Sequence, residues 1–330
     1  MRPTFSIILF TVLSGAGFGL LFLAGLSLVA GELLAALGPA VFSDFNIAAP
    51  AFVDMRVSLV LMLAVGGALA TAGLLSSVGH LGMPVRAWRA FSQWRSSWLS
   101  REGVVSVATY VPLVALLFWL IIDKPVEVSI GAIGGGIALA IGAAATVYCT
   151  GHIYSTLKPV RAWHDGLVVP LYLLFALYTG ALWMSVLQPM HTGFSALVCA
   201  VNALAIGPAC AFLKLRYWRR LDHAPLQPDA GAATGLSRLG HVRGFEQPHT
   251  EENYLTREMG FVLARKHARR LRAIAFWLVL LSPLAMIPLA WLVGALGAWL
   301  ALAAGMLGVF VERWLFFAEA RHAVIAFYDR

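Results

Sequence analysis

The sequence predicts an all-α membrane protein, a bundle of eight transmembrane helices with both termini cytoplasmic. Three observations carry this. The 330 residues are 60% hydrophobic and 12% charged, whereas a soluble domain carries about 25% charge. Mean hydropathy is +0.80. Eight stretches reach or approach the roughly 20 apolar residues that cross a hydrocarbon core of about 30 Å. This pattern excludes an ordinary soluble enzyme, a disordered chain and a nucleic-acid-binding module.

The spans run over about 5–36, 57–81, 103–122, 128–152, 166–187, 193–213, 273–294 and 297–318. The first follows Arg2 but is far longer than the 7–15-residue core of a signal peptide, so it reads as a retained helix. Glycine clusters at 15–19 and 131–136 predict close helix–helix approach in lipid. Only Gly294 to Gly297 separate the last two spans, which predicts a tight antiparallel hairpin. The longest polar stretch, about 214–272, is one cytoplasmic loop. No soluble domain is evident, and residues 1–330 read as a single integral membrane domain.

Charge fixes the orientation. Of the 24 Lys and Arg residues, all but Arg56 and Lys124 fall on the face shared by the two termini and loops 2–3, 4–5 and 6–7. Basic residues in short loops stay cytoplasmic. The net charge of +8 is therefore largely topology. On that face Arg86, Arg89, Arg95 and Arg101 interleave with Trp88, Trp94 and Trp98. Such a pattern suits a headgroup-level belt on membrane lipid, and equally a docking surface for a cytoplasmic partner. The three cysteines, Cys149, Cys199 and Cys210, lie in apolar runs and read as packing residues rather than a disulfide or metal framework.

Four polar clusters could carry chemistry. His80 ends span 2 and is followed by Pro84, Arg86 and Trp88. Tyr148, Cys149, Thr150, His152 and Tyr154 end span 4, ahead of Arg161 and His164. Ser100, Arg101 and Glu102 open span 3, and Glu312 and Arg313 lie near the end of span 8. Pro-Val-Arg-Ala-Trp occurs twice, at 84–88 and 159–163, a faint internal echo. Glu102 reads either as a cap favoured by the helix dipole or as a carboxylate facing His80 across the short 2–3 connection. A titratable imidazole beside a carboxylate at the membrane boundary can exchange protons with a lipid-soluble ligand. Neighbours in sequence do not face each other on a helix, so Glu312 should pair with another helix rather than with Arg313. There is no nucleotide-binding loop, serine-hydrolase elbow or zinc-protease motif. One b-type haem held by His80 and His152 remains an alternative.

Taken in order, several segments resemble the DMSO reductase anchor subunit family, and the likeness runs nearly end to end. They are Phe5 to Gly17; Ser77, His80, Leu81, Gly82, Pro84, Arg86 and Ala87; and Leu99 to Glu102. Pro248 and His249, Glu258 to Gly260, Ala264 to His267, and Glu312 to His322 complete the set. The resemblance implies a quinone-binding membrane subunit whose site histidine is His80 and whose site carboxylate is Glu102. Implied partners are a four-cluster, ferredoxin-like iron–sulfur subunit and a molybdopterin catalytic subunit. These hold the metal centres, while the anchor binds ubiquinone or menaquinone, nothing covalently, and normally no haem. His152 departs from the family pattern.

With His80 and Glu102 on the basic face, the catalytic subunits are expected in the cytoplasm, as in membrane-bound, cytoplasm-facing sulfite dehydrogenases. On this reading the chain sits in the bacterial cytoplasmic (inner) membrane and performs no substrate chemistry itself. It passes electrons from sulfite oxidation to quinone. His80 and Glu102 would handle protons, with Arg86 offsetting negative charge and Trp88, Tyr154 or His152 beside the ring. Arg89, Trp94, Arg95, Arg101 and Arg161 would meet the partner. The alternatives are an anchor oxidising quinol for an S- or N-oxide reductase, a haem-bearing anchor, and a secondary transporter. Transporters place polar groups at mid-membrane, whereas here they crowd one edge.

Overall fold

The computed structural model describes residues 4–36, 52–79, 83–122, 129–188, 193–223, 231, 234–240, 242 and 263–323. His80, Pro248, His249 and Glu258 lie outside them. The described residues form α1 (Phe5–Ala36), α2 (Phe52–Val78), α3 (Trp98–Ile122), α4 (Ile130–Ser155), α5 (Val168–Leu187), α6 (Gly193–Val201), α7 (Gly207–Asp222), α8 (Leu263–Val293) and α9 (Ala295–Ala318). A π-helical turn at Asn202–Ile206 fuses α6 to α7, and a 3₁₀ segment, Pro84–Gln93, leads into α3. Among the described residues, eight helical stretches are long and apolar enough to cross a membrane.

Helix boundaries differ from the apolar runs where charged residues begin. α3 starts at Trp98, so Glu102 is its fifth residue rather than a cap. α7 runs on to Asp222 and α8 begins at Leu263, both well inside the stretch read as loop. Charged side chains end a hydrocarbon run without ending a helix, because the backbone bonds continue into the interface.

α1 is the central helix, packed along α2, α4 and α5 and touching α9. The approach is closest where Gly19 of α1 meets Gly180 and Ala176 of α5, and a Cβ at Gly19 would overlap the Ala176 carbonyl. Gly25 and Gly136 do the same for α1 and α4. Small residues take this role because lipid offers no hydrophobic drive between helices, leaving packing to hold them. α8 and α9 form the expected hairpin, turning at Gly294 with φ of 67°.

Pro283 lies inside α8 and has no N–H to give to the Val279 carbonyl. The Tyr178 hydroxyl of α5 donates to that carbonyl at 2.9 Å and meets the Ser282 hydroxyl at 2.6 Å. Asn202 in the π turn donates its amide to the Tyr178 carbonyl at 3.3 Å. One polar knot thereby joins α5, the π turn and α8 deep in the bundle.

The helix ends that carry most of the basic residues meet at one end. Ser76 of α2 donates to the Ser6 carbonyl, and Phe5 rests on Phe310 of α9. Val160 pairs with His322 in an isolated antiparallel bridge, which Ala323 N–H extends to the Pro159 carbonyl at 2.9 Å. At the opposite end Arg56 donates to the Leu120 and Ile121 carbonyls, closing the C-terminus of α3.

Replacing Gly19 or Gly180 by Leu forces α1 and α5 apart. The expected cost is at least about 2 kcal/mol, read as loss of monodisperse protein after detergent extraction. Gly134→Ala, where a Cβ meets nothing within 4 Å, should leave extraction unchanged.

Candidate functional site

The site is built at the basic end from α3 and α4. Ser100, Glu102, Ser106 and Thr109 fall on the buried face of α3, and Thr146 and Thr150 on the facing side of α4. Glu102 is 4% exposed, and its carboxyl is hydrogen-bonded to the Thr150 hydroxyl. That hydroxyl also lies 3.0 Å from the Thr146 carbonyl. It has one proton and two acceptors. A Glu102 carrying its own proton satisfies both contacts, whereas an ionised one competes with the backbone for the single Thr150 proton. Glu102 thus sits where gain or loss of a proton rewrites the local hydrogen bonding.

Outside this pair, towards lipid, lies an aromatic stack. The His152 ring lies parallel to Trp98 at 4.4 Å and edge-on to Tyr148 at 4.4 Å. Arg101 covers Trp98 at 4.4 Å, and Tyr148 is 43% exposed. The Arg101 guanidinium is turned back to the Trp94 and Arg95 carbonyls. Tyr154 lies elsewhere, buried among Tyr172, Trp163, Phe316 and Phe317. Arg86 and Trp88 are exposed on the 3₁₀ segment, Trp88 by 67%. Arg89 and Arg95 lie over Trp88 and Trp94 at 5.7 and 5.6 Å. Arg161 is exposed in the turn between α4 and α5. The structure therefore joins Glu102 to Thr150, gathers His152, Trp98 and Arg101 beside them, and packs Tyr154, one turn beyond Thr150, into the aromatic core.

A second polar group lies across α7 and α9. Lys214 meets Glu312 at 2.5 Å, and Arg313 meets Glu312 at 3.2 Å, all three buried. Glu312 pairs with the other helix, as expected, but also with its sequence neighbour, because the long Arg313 side chain folds back along α9. Arg313 lies over the Tyr172 ring at 3.9 Å, and Lys214 over Tyr217 at 4.1 Å, cation–π contacts that offset desolvation. At the bundle's end Arg272 joins Asp222 at 2.7 Å and Glu319 at 2.8 Å. Burial pushes the Glu319 carboxyl above the usual range, while Arg272 works against the shift. Counted as formal charges, Lys214, Arg313 and Arg272 balance Glu312, Asp222 and Glu319. Glu102 stands outside that balance, and among the described residues it has no ion pair.

Lys214 is the partner that sequence reasoning missed. It continues the buried stripe of Cys210, Tyr217 and Trp218 at helical spacing, a signal hidden by treating the first lysine after an apolar run as loop. Thr150 stood in the cluster ending span 4, but its pairing with Glu102 was not foreseen.

The whole-chain likeness is now decisive: residues 1–317 match the family described as DMSO reductase anchor subunit (DmsC). The chain belongs to that family. It is also 32% identical over 350 aligned positions to a sulfite dehydrogenase subunit of Allochromatium vinosum, spanning 100% of this chain and 99% of the relative. No solved structure matches it. As a DmsC-family anchor, it is a multi-pass membrane subunit of a larger oxidoreductase of the molybdoenzyme type, which implies catalytic and iron–sulfur partners.

Removing one member of the buried cluster should cost more than removing the pair. Lys214→Ala is expected to destabilise the extracted protein by about 3–5 kcal/mol, whereas Lys214→Met with Glu312→Met should recover most of the loss. Thermal unfolding in detergent compares the two.

Proposed function

We propose that this anchor houses the quinone site of a molybdenum and iron–sulfur oxidoreductase in the bacterial cytoplasmic membrane. Both termini and the catalytic subunits would lie on the cytoplasmic side. The observation that carries the proposal is Glu102, a buried carboxyl at the basic end with a hydroxyl partner and, among the described residues, no cation. An ionisable group at membrane depth that neutralises no other charge is there to exchange a proton. Reducing a quinone takes two electrons and two protons, so such a group suits that reaction.

The end of α2 supports the same reading. The Thr71 hydroxyl of α2 meets the Tyr110 hydroxyl of α3 at 2.6 Å. From that bond Val78, the last residue of α2, lies seven residues onward and Glu102 eight residues back. At 1.5 Å per residue, the end of α2 reaches about the depth of Glu102. His80 would bind one ring oxygen and Glu102 would hold the exchangeable proton. Trp98 and His152 would line the lipid side, with Arg86 and Trp88 at the mouth. Bound quinone would supply the two-electron acceptor.

The exposed 3₁₀ segment, with Arg89, Trp94 and Arg95, offers the iron–sulfur partner a docking edge beside Arg101 and Arg161. The likeness to a sulfite dehydrogenase subunit supports sulfite as the electron source. Operation as a quinol-oxidising anchor uses the same groups in reverse.

In the purified complex, Glu102→Gln and His80→Ala should each lower quinone-linked turnover by about 100-fold or more. Dye-linked activity of the catalytic subunits should hold. Wild-type quinone turnover in both variants would overturn the reading.

A further inference from the structure

Between α1, α4, α5 and α9 lies a cavity of about 20 Å³, enough for the centres of one or two water molecules. Its walls are mostly apolar, but each of the four helices also contributes a polar residue: Ser14 of α1, Thr150 of α4, Tyr172 and Thr179 of α5, and Arg313 of α9. A cavity stays dry when its walls are apolar, and holds water when two to four polar partners are present. Ser14 donates to the Phe10 carbonyl at 2.6 Å and Thr179 to the Phe175 carbonyl at 2.9 Å, so their oxygens keep free lone pairs. The Tyr172 hydroxyl is buried without a hydrogen bond of good geometry, although Arg313, lying over its ring, comes within reach of its oxygen. Donors and acceptors are therefore both left over around one small space.

Thr150 touches this space and also touches Glu102. We propose that the cavity is a buried water site and that its water restores the proton of Glu102 through the Thr150 hydroxyl. The inference rests on Glu102 being the proton-exchanging carboxyl of the quinone site. Once Glu102 has given up a proton, the Thr150 O–H proton passes to the carboxylate while the Thr150 oxygen takes one from the cavity water. The water is made good by a proton from bulk water at the basic end. Only O–H bonds break and form, one proton moves inward, and no electrons move. Arg313 holds its charge throughout and fixes the water, so it is a positioning residue. Quinol oxidation runs the same path outward.

Gly15 provides the test. It lines the cavity, and a Cβ there meets nothing within 4 Å, so Gly15→Val places methyl groups where water would sit. Thr150→Val removes the relay hydroxyl, and Thr150→Ser keeps it. In the intact complex, assayed with a short-chain quinone, Gly15→Val and Thr150→Val should each slow quinone-linked turnover at least about tenfold. Both should raise the solvent deuterium isotope effect, with dye-linked activity steady, and Thr150→Ser should restore wild-type behaviour. If Gly15→Val does not assemble, the Thr150→Val and Thr150→Ser pair decides. Wild-type turnover and isotope effect in the assembled variants, with Glu102→Gln inactive, would overturn the water path and leave the quinone site standing. An active Glu102→Gln would overturn both.

Discussion

Charge inside a hydrocarbon slab must be closed by charge or by hydrogen bonds, and this requirement organises the bundle. Lys214, Glu312 and Arg313 bind α7 to α9. Arg272, Asp222 and Glu319 tie the ends of α7, α8 and α9 together. Aromatic faces from Tyr172, Tyr217 and Trp218 supply the remaining electrostatic cover. As formal charges these six groups cancel among themselves. Glu102 stands outside that balance and takes the Thr150 hydroxyl as its partner instead.

Much of the architecture was legible in the sequence because the bilayer imposes simple arithmetic. Apolar length announces a span, and a glycine pair with no polar residue between announces a hairpin. Helix ends were not legible in the same way. A hydropathy count stops at Lys214 and resumes after Arg272, yet the backbone stays helical well beyond both points. Interfacial residues are helix formers that merely prefer water, and composition cannot separate them from loop residues.

The candidate site divides along a similar line. Glu102 was legible because a carboxyl opening span 3 could face His80 as well as cap the helix, and the resemblance pointed to it too. Its pairing with Thr150 was not, since threonines in membrane helices normally bond back to their own carbonyls, as Thr109 and Thr146 do. Tyr154 illustrates the converse. Its position near His152 suggested a site wall, but two residues along a helix turn a side chain to a different face, and Tyr154 packs with Trp163 and Phe316 instead. Arg313 showed that helix-neighbour rules describe Cβ directions and not the reach of a four-atom side chain.

Pro283, one of two prolines in α8, has a consequence for how the protein meets its bilayer. Pro283 leaves one carbonyl vacant, and the Tyr178 hydroxyl, at the matching height and rotation, occupies it. The knot acts as a pin, giving α8 a single vertical register against α5. When membrane thickness changes, the surrounding helices are free to tilt, but α8 cannot slide to follow the lipid without stripping that bond. The bundle should therefore respond to hydrophobic mismatch by leaning about a fixed pivot near its middle, which keeps the two leaflets' halves aligned.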